Sequence, residues 1–127
     1  RRAMGKYHPP GLWANACCSH PDWGETGEAC AVRRLGEELG LRDVEVTPAS
    51  TVEYRAEVGG GLVEHELVEV FPAILPAPVR LAPDPDEVMA TAWIGSEHLR
   101  ERVRQEPGAF APWLRIYLER NVVPAMA

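Results

Sequence analysis

The densest chemistry in the chain lies between Ser19 and Leu41, reading S-H-P-D-W-G-E-T-G-E-A-C-A-V-R-R-L-G-E-E-L-G-L. A loop carrying Glu25 leads into a segment with Arg33, Arg34, Glu37 and Glu38. If that segment is helical, Arg34 and Glu38 share one face and Arg33 and Glu37 an adjacent one. An arginine fork grips phosphate oxygens, and a glutamate beside it takes the hard cation that travels with phosphates. The same spacing also describes plain surface ion pairs contributing a few tenths of a kcal/mol, so spacing alone leaves both readings open.

A second group is Glu64-His65-Glu66. Side chains alternate on a strand, so both glutamates face one side and His65 the other. Two inward carboxylates repel unless a cation or a shared proton offsets them. Apolar residues fall on both faces of this stretch (Leu62, Val63, Leu67, Val68, Val70), which predicts a strand covered on both sides and an inward acid pair. The alternative is a plain solvent face. Cys17-Cys18-Ser19-His20 form a third group, in which only one of two adjacent strand cysteines can face a given site. A buried cysteine also serves as a small packing residue. Trp113, beside Phe110 and Pro112, either packs at a helix start or offers an indole face to a cation. Arg1, Arg2 and Lys6 supply positive charge to a phosphate, or form a solvated terminus.

These residues need elements to position them. Ala31, Leu35 and Leu39 recur at helical spacing before Gly40, predicting a helix over about 26–39 with Thr26 as N-cap. Leu12–Cys18, Val44–Val46 and Glu87–Ile94 read as strands. Thr51–Val58 and Leu62–Leu75 read as a hairpin around Gly59-Gly60-Gly61. Pro76, Pro78, Pro83 and Pro85 mark a connecting loop. Ser96 caps a helix of about ten residues, and a last helix runs from Pro112 to about Asn121. The order predicts an α/β layered domain with a mixed sheet.

Size and charge narrow the field. The chain has 127 residues, 46% hydrophobic and 25% charged, with a net charge of −6. That composition suits one globular domain of 14.0 kDa. An acidic chain is a poor match for gripping nucleic acid or an anionic membrane, and no apolar run approaches the roughly 20 residues that span a bilayer. Three clustered cysteines do not make a disulfide scaffold and fit reduced thiols in the cytoplasm.

The 19–41 segment resembles a Nudix box, G-x5-E-x7-R-E-U-x-E-E-x-G-U with U apolar, through Glu25, Arg33, Leu35, Glu37, Glu38, Gly40 and Leu41. Ser19 stands where the box has Gly, and Arg34 where it has Glu. The second departure is shared with one branch, the metal-dependent isopentenyl-diphosphate isomerases. More of the chain resembles that branch: Arg1-Arg2-Ala3 with Lys6, Pro10 to Pro21, Tyr54-Arg55-Ala56 ahead of Glu64-His65-Glu66, Asp86-Glu87-Val88-Met89, and Phe110-Ala111-Pro112-Trp113. The resemblance implies a Nudix-type α/β/α sandwich with a mixed sheet. It implies interconversion of isopentenyl and dimethylallyl diphosphate through a tertiary carbocation, in a monomer.

Carried over by position, Cys18 is the catalytic cysteine and Glu66, with Tyr54 beside it, the opposing acid/base. His20, Glu64 and Glu66 hold a tightly bound divalent ion (manganese, magnesium or zinc), and Glu38 is linked to the magnesium that rides with the diphosphate. Arg2, Lys6 and Arg34 contact the diphosphate, and Trp113 faces the isoprenoid. The usual assignment puts the first proton on the Glu/Tyr side and the abstraction on the cysteine side. The resemblance also implies an N-terminal part, with two further metal-binding histidines, ahead of Arg1. His8, His65 and His98 match neither, so the 127 residues alone are expected to be inactive where the intact protein is active. Two other readings stay open: a Nudix hydrolase of a nucleoside diphosphate derivative, and a non-catalytic diphosphate binder. Changing Cys18 separates them, since a hydrolase would barely notice.

Overall fold

Thr26 and Gly40 set the ends of the first helix, α1 (Gly27–Leu39). The Thr26 hydroxyl accepts from the Ala29 backbone N–H at 3.1 Å, and Gly40 takes the left-handed conformation (φ 67°) that closes the last turn. The protein was examined as a computed structural model, which describes residues 1–6, 9–48, 50–76 and 79–122. His8 and Pro78 lie outside the described residues. The inner face of α1 carries Leu35 and Leu39, which pack with Val46; Cys17, Val44, Phe71 and Val88 close around them.

β1 (Ser50–Gly59) pairs antiparallel with β2 (Leu62–Val70), in the register Val52↔Val68, Tyr54↔Glu66 and Ala56↔Glu64. Gly59, Gly60 and Gly61 all have positive φ, which lets the hairpin reverse. Its inner face packs on the last helix, giving a second core of Val52, Tyr54, Val58, Trp113, Leu114 and Tyr117. The outer face is open among the described residues: Leu67 is 73% exposed and Val63 46%. The expectation of a strand covered on both sides is therefore corrected; apolar residues on the outer face show that a strand suits cover there, not that cover exists.

α2 (Ser96–Gln105) has the predicted length, but Gly95 takes the cap position and Ser96 opens the helix without a side-chain cap. A short 3-10 turn, Pro107–Ala109, leads to α3 (Pro112–Glu119), which starts on Pro112 as expected and ends two residues short of Asn121.

Three predicted strands are not formed as ladders. In 12–18 only Trp13 bridges, parallel to Phe110, and the Asn15 side chain donates to the Cys17 carbonyl at 2.9 Å, bending the chain. In 87–94 only Val88 bridges, antiparallel to Arg2, because Glu87 and Val88 donate back to the Asp84 carbonyl in a turn. Val44–Val46 follows Asp43 at φ 56° and supplies Val46 to the core without pairing as a strand. The α/β class stands, with the regular ladder confined to β1–β2 and the mixed character carried by single bridges. Those bridges tie residues 2–6 and 9–13 to the 84–90 loop and to the start of α3, and so fix Arg2 and Lys6 in space.

Candidate active site

The bend at Asn15 sends the two adjacent cysteines to different sides. Cys17 turns under α1 towards Glu38, and burial followed by the Glu38 contact pushes its thiol up. Cys18 turns towards Asn15, Tyr117 and Glu66. The residue keeps exposed surface, yet desolvation of the thiol pushes it up to about 11, with Asn15 and Tyr117 opposing and the Glu66 charge adding. The Cys18 thiol is thus held protonated at neutral pH.

Across from it stand the hairpin acids. Glu64 and Glu66 lie on the inner, half-buried face and His65 on the outer, where His65 meets Glu53 at 3.1 Å. Tyr54, opposite Glu66 in the register, donates its hydroxyl to Glu64 Oε2 at 3.1 Å. Burial and then the Glu64 and Glu66 charges push its phenol well above the usual range. His20, 83% exposed at its side chain, sits with Nε2 3.2 Å from Glu66 Oε1. The two neighbouring carboxylates have taken different partners, which relieves their repulsion without a shared ion.

The expected tight metal set is only partly assembled. His20 and Glu66 meet, Glu64 pairs with Tyr54, and among the described residues no group of three or more His, Cys, Asp or Glu side chains is arranged to hold a metal ion. The donors are chemically suited to a divalent ion, but their arrangement does not form a closed site. Glu38 is different. It is 6% exposed, Oε1 lies 3.2 Å from Arg34, and Oε2 is buried with no hydrogen-bond partner among the described residues. An orphaned buried carboxylate oxygen fits a hard cation.

Of the three expected cationic residues, Lys6 and Arg34 meet at Glu87 and Arg2 lies over Trp113. Arg34 reaches Glu37 at 2.6 Å, Glu38 at 3.2 Å and Glu87 at 3.6 Å, and Lys6 pairs with the same Glu87. Arg2 places its guanidinium 5.2 Å from the centre of the Trp113 ring. Trp113 is 3% exposed and donates Nε1–H to Asn15 Oδ1 at 3.1 Å. Glu25 grips Arg33 with both oxygens, at 2.8 and 2.9 Å, and accepts from the Asp22 N–H at 3.0 Å, locking the loop onto α1. The Arg33 bonds hold its carboxyl down at about 2. Sequence reasoning missed three residues. Glu87 was visible in the D-E-V-M stretch and Asn15 in W-x-N-x-x-C, but nothing in the sequence marked Tyr117 apart from the buried stripe of α3.

A family model described as the NUDIX domain matches residues 1–114. The chain belongs to the Nudix family. Within it, the chain is similar to isopentenyl-diphosphate Delta-isomerases. That of Jannaschia sp. (strain CCS1) is 54% identical over 120 residues, covering 94% of this chain and 68% of the relative. That of Cereibacter sphaeroides (strain ATCC 17025 / ATH 2.4.3) is 56% identical over 118 residues, with 93% and 67% covered. That of Ruegeria pomeroyi (strain ATCC 700808 / DSM 15171 / DSS-3) is 52% identical over 121 residues, with 95% and 67% covered. Among the described residues no helix is long and apolar enough to cross a membrane.

Proposed function

We propose that this Nudix-family enzyme interconverts isopentenyl and dimethylallyl diphosphate. The observation that carries the reading is the Cys18 segment meeting the hairpin acids, with His20 on Glu66 and Tyr54 on Glu64, in a chain about half identical to isomerases. Moving a double bond takes one proton added and one removed, with a tertiary carbocation between. Cys18 and Glu66 are the two proton-handling groups, and they exchange roles with the direction of reaction. Tyr54 steadies the acid side through its bond to Glu64.

Arg2, Lys6 and Arg34 bind the diphosphate, which must displace part of the carboxylate pairing at Glu87. Glu38 would hold the accompanying magnesium, whose chemistry is to neutralise diphosphate charge. Trp113 closes the isoprenoid end, and its indole ring favours a nearby cation by about 2 kcal/mol when desolvated. The aromatic wall keeps water from the cation. Three free cysteines suit a reducing cytoplasm, and the enzyme works as a monomer.

The test is turnover of isopentenyl diphosphate in heavy water by the full-length protein, followed by NMR. Deuterium entering the carbon chain, with no phosphate released, is the expected result. Phosphate release without deuterium uptake would make the protein a hydrolase and sink the proposal.

A further inference from the structure

The stretch that carries Cys18 has no backbone ladder to hold it. Trp13 is the last residue before it with paired backbone groups, donating to the Ala109 carbonyl at 2.9 Å and accepting from the Ala111 N–H at 2.8 Å. From Ala14 to Pro21 no backbone–backbone hydrogen bond is made among the described residues. A thiol carried on so free a chain points in many directions unless side chains order it.

Asn15 is placed to order it. Its Oδ1 accepts from the Trp113 indole N–H at 3.1 Å, and its Nδ2 donates to the Cys17 carbonyl at 2.9 Å. The two partners dictate which way the amide faces: an indole N–H only donates and a carbonyl only accepts, so a flipped amide satisfies neither. The Cys17 carbonyl belongs to the planar peptide unit that joins Cys17 to Cys18, so fixing it fixes the plane from which the two side chains depart. The Cys18 sulfur lies a long 3.8 Å from both amide atoms, on the side the thiol takes. Trp113 is 3% exposed and belongs to the core that joins α3 to the hairpin, so the amide is tied to a packed point. At the far end of the stretch His20 meets Glu66 at 3.2 Å. Asn15 and His20 therefore hold the cysteines from both ends, one through α3 and one through β2.

We propose that Asn15 is a positioning residue: by tying the Cys17–Cys18 peptide to Trp113, it selects Cys18 rather than Cys17 as the thiol that faces the hairpin acids. Without that tie the peptide turns, and the two adjacent thiols exchange sides. Proton transfer to a flat five-carbon unit requires the sulfur at one face of one carbon, so a thiol that is there only part of the time lowers the rate without weakening diphosphate binding. The effect on rate rests on the isomerase reading, but the choice between the two cysteines does not.

The experiment is Asn15→Leu in the full-length protein, which removes both amide bonds at an exposed position, with two readouts. The first is steady-state isomerase kinetics: kcat is expected to fall about tenfold with KM within about twofold. The second is alkylation by iodoacetamide, located on each cysteine by tandem mass spectrometry. The ratio of Cys17 to Cys18 labelling is expected to rise several-fold, while labelling of Cys30, buried on α1, stays as it was. An unchanged ratio would overturn the proposal, and so would a kcat equal to that of an active parent. A rise at Cys30 equal to that at Cys17 would also overturn it, since Asn15 would then only stabilise the fold. Asn15→Asp keeps an acceptor for Trp113 but turns a second oxygen towards the Cys17 carbonyl, so it should shift the ratio too; a parental ratio there would count against the proposal in the same way. A shifted ratio in a protein with no isomerase turnover would support the positioning while removing the isomerase reading, so the two failures are told apart.

Discussion

The two sides of the site are built on opposite principles. Around α1 three cations pair with acids: Arg33 with Glu25 and Glu37, Arg34 with Glu37, Glu38 and Glu87, Lys6 with Glu87. Around the hairpin and α3 the groups are aromatic or weakly acidic: Glu64 accepts from a phenol, and Glu66 lies against a histidine. The first side is a network of ion pairs, in which a phosphate can replace a carboxylate as the partner of a cation. The second is desolvated, so its thiol and phenols are held in their neutral forms. On the proposed function, binding and proton chemistry are thereby separated, with the Arg2 guanidinium over Trp113 as the point where the two sides touch.

That division breaks first at Cys18. Cys18→Ala is expected to lower isomerase turnover about 10³-fold with little change in substrate affinity; a residual rate within about tenfold of the parent would place the proton chemistry elsewhere. Trp113→Ala strikes the seam between the sides. It empties a buried position and removes one partner each from Asn15 and Arg2, and is expected to cost about 3 kcal/mol in denaturant unfolding. A loss under about 1 kcal/mol would mean that α3 is held by its aliphatic residues instead.

On the charged side, Arg34→Lys keeps the charge and loses the fork. KM is expected to rise about tenfold while kcat moves less, as steady-state kinetics would read. A fall confined to kcat would erase the distinction between the two sides. The smallest effect is at Glu25. Its carboxyl is depressed from 4.5 to about 2, so the stability it contributes is present above 4.5 and lost as pH falls through about 2. Thermal unfolding of Glu25→Gln should therefore show a shallower loss of Tm over that window than the parent. Identical slopes would mean that the Arg33 grip contributes nothing at this half-buried position.

Much of the framework was legible because its causes are local. Thr26 and Gly40 bound α1 by capping, Gly59 to Gly61 mark the hairpin, and Pro112 starts α3. Alternation on β2 placed Glu64 and Glu66 on one face and His65 on the other. The failures also have causes. Stretches 12–18, 44–46 and 87–94 have strand-like composition, but a strand needs a partner, and each found at most a single bridge or a turn. Exposed Leu67 shows the same limit from the other side, since its hydrophobicity says nothing about what covers it.

The sequence by itself determined the residue types, the helix face shared by Arg34 and Glu38, and the rule that only one of Cys17 and Cys18 could enter the site. Tertiary structure decided which one, and decided the partners. Asn15 meets Trp113 across 98 positions, Lys6 meets Glu87 across 81, and His20 meets Glu66 across 46. Periods of two and 3.6 residues carry no information over such distances. Those meetings are fixed by how α3 packs on the hairpin and how residues 2–13 dock on the rest. The orphaned Tyr117 hydroxyl became visible only once that packing had buried it.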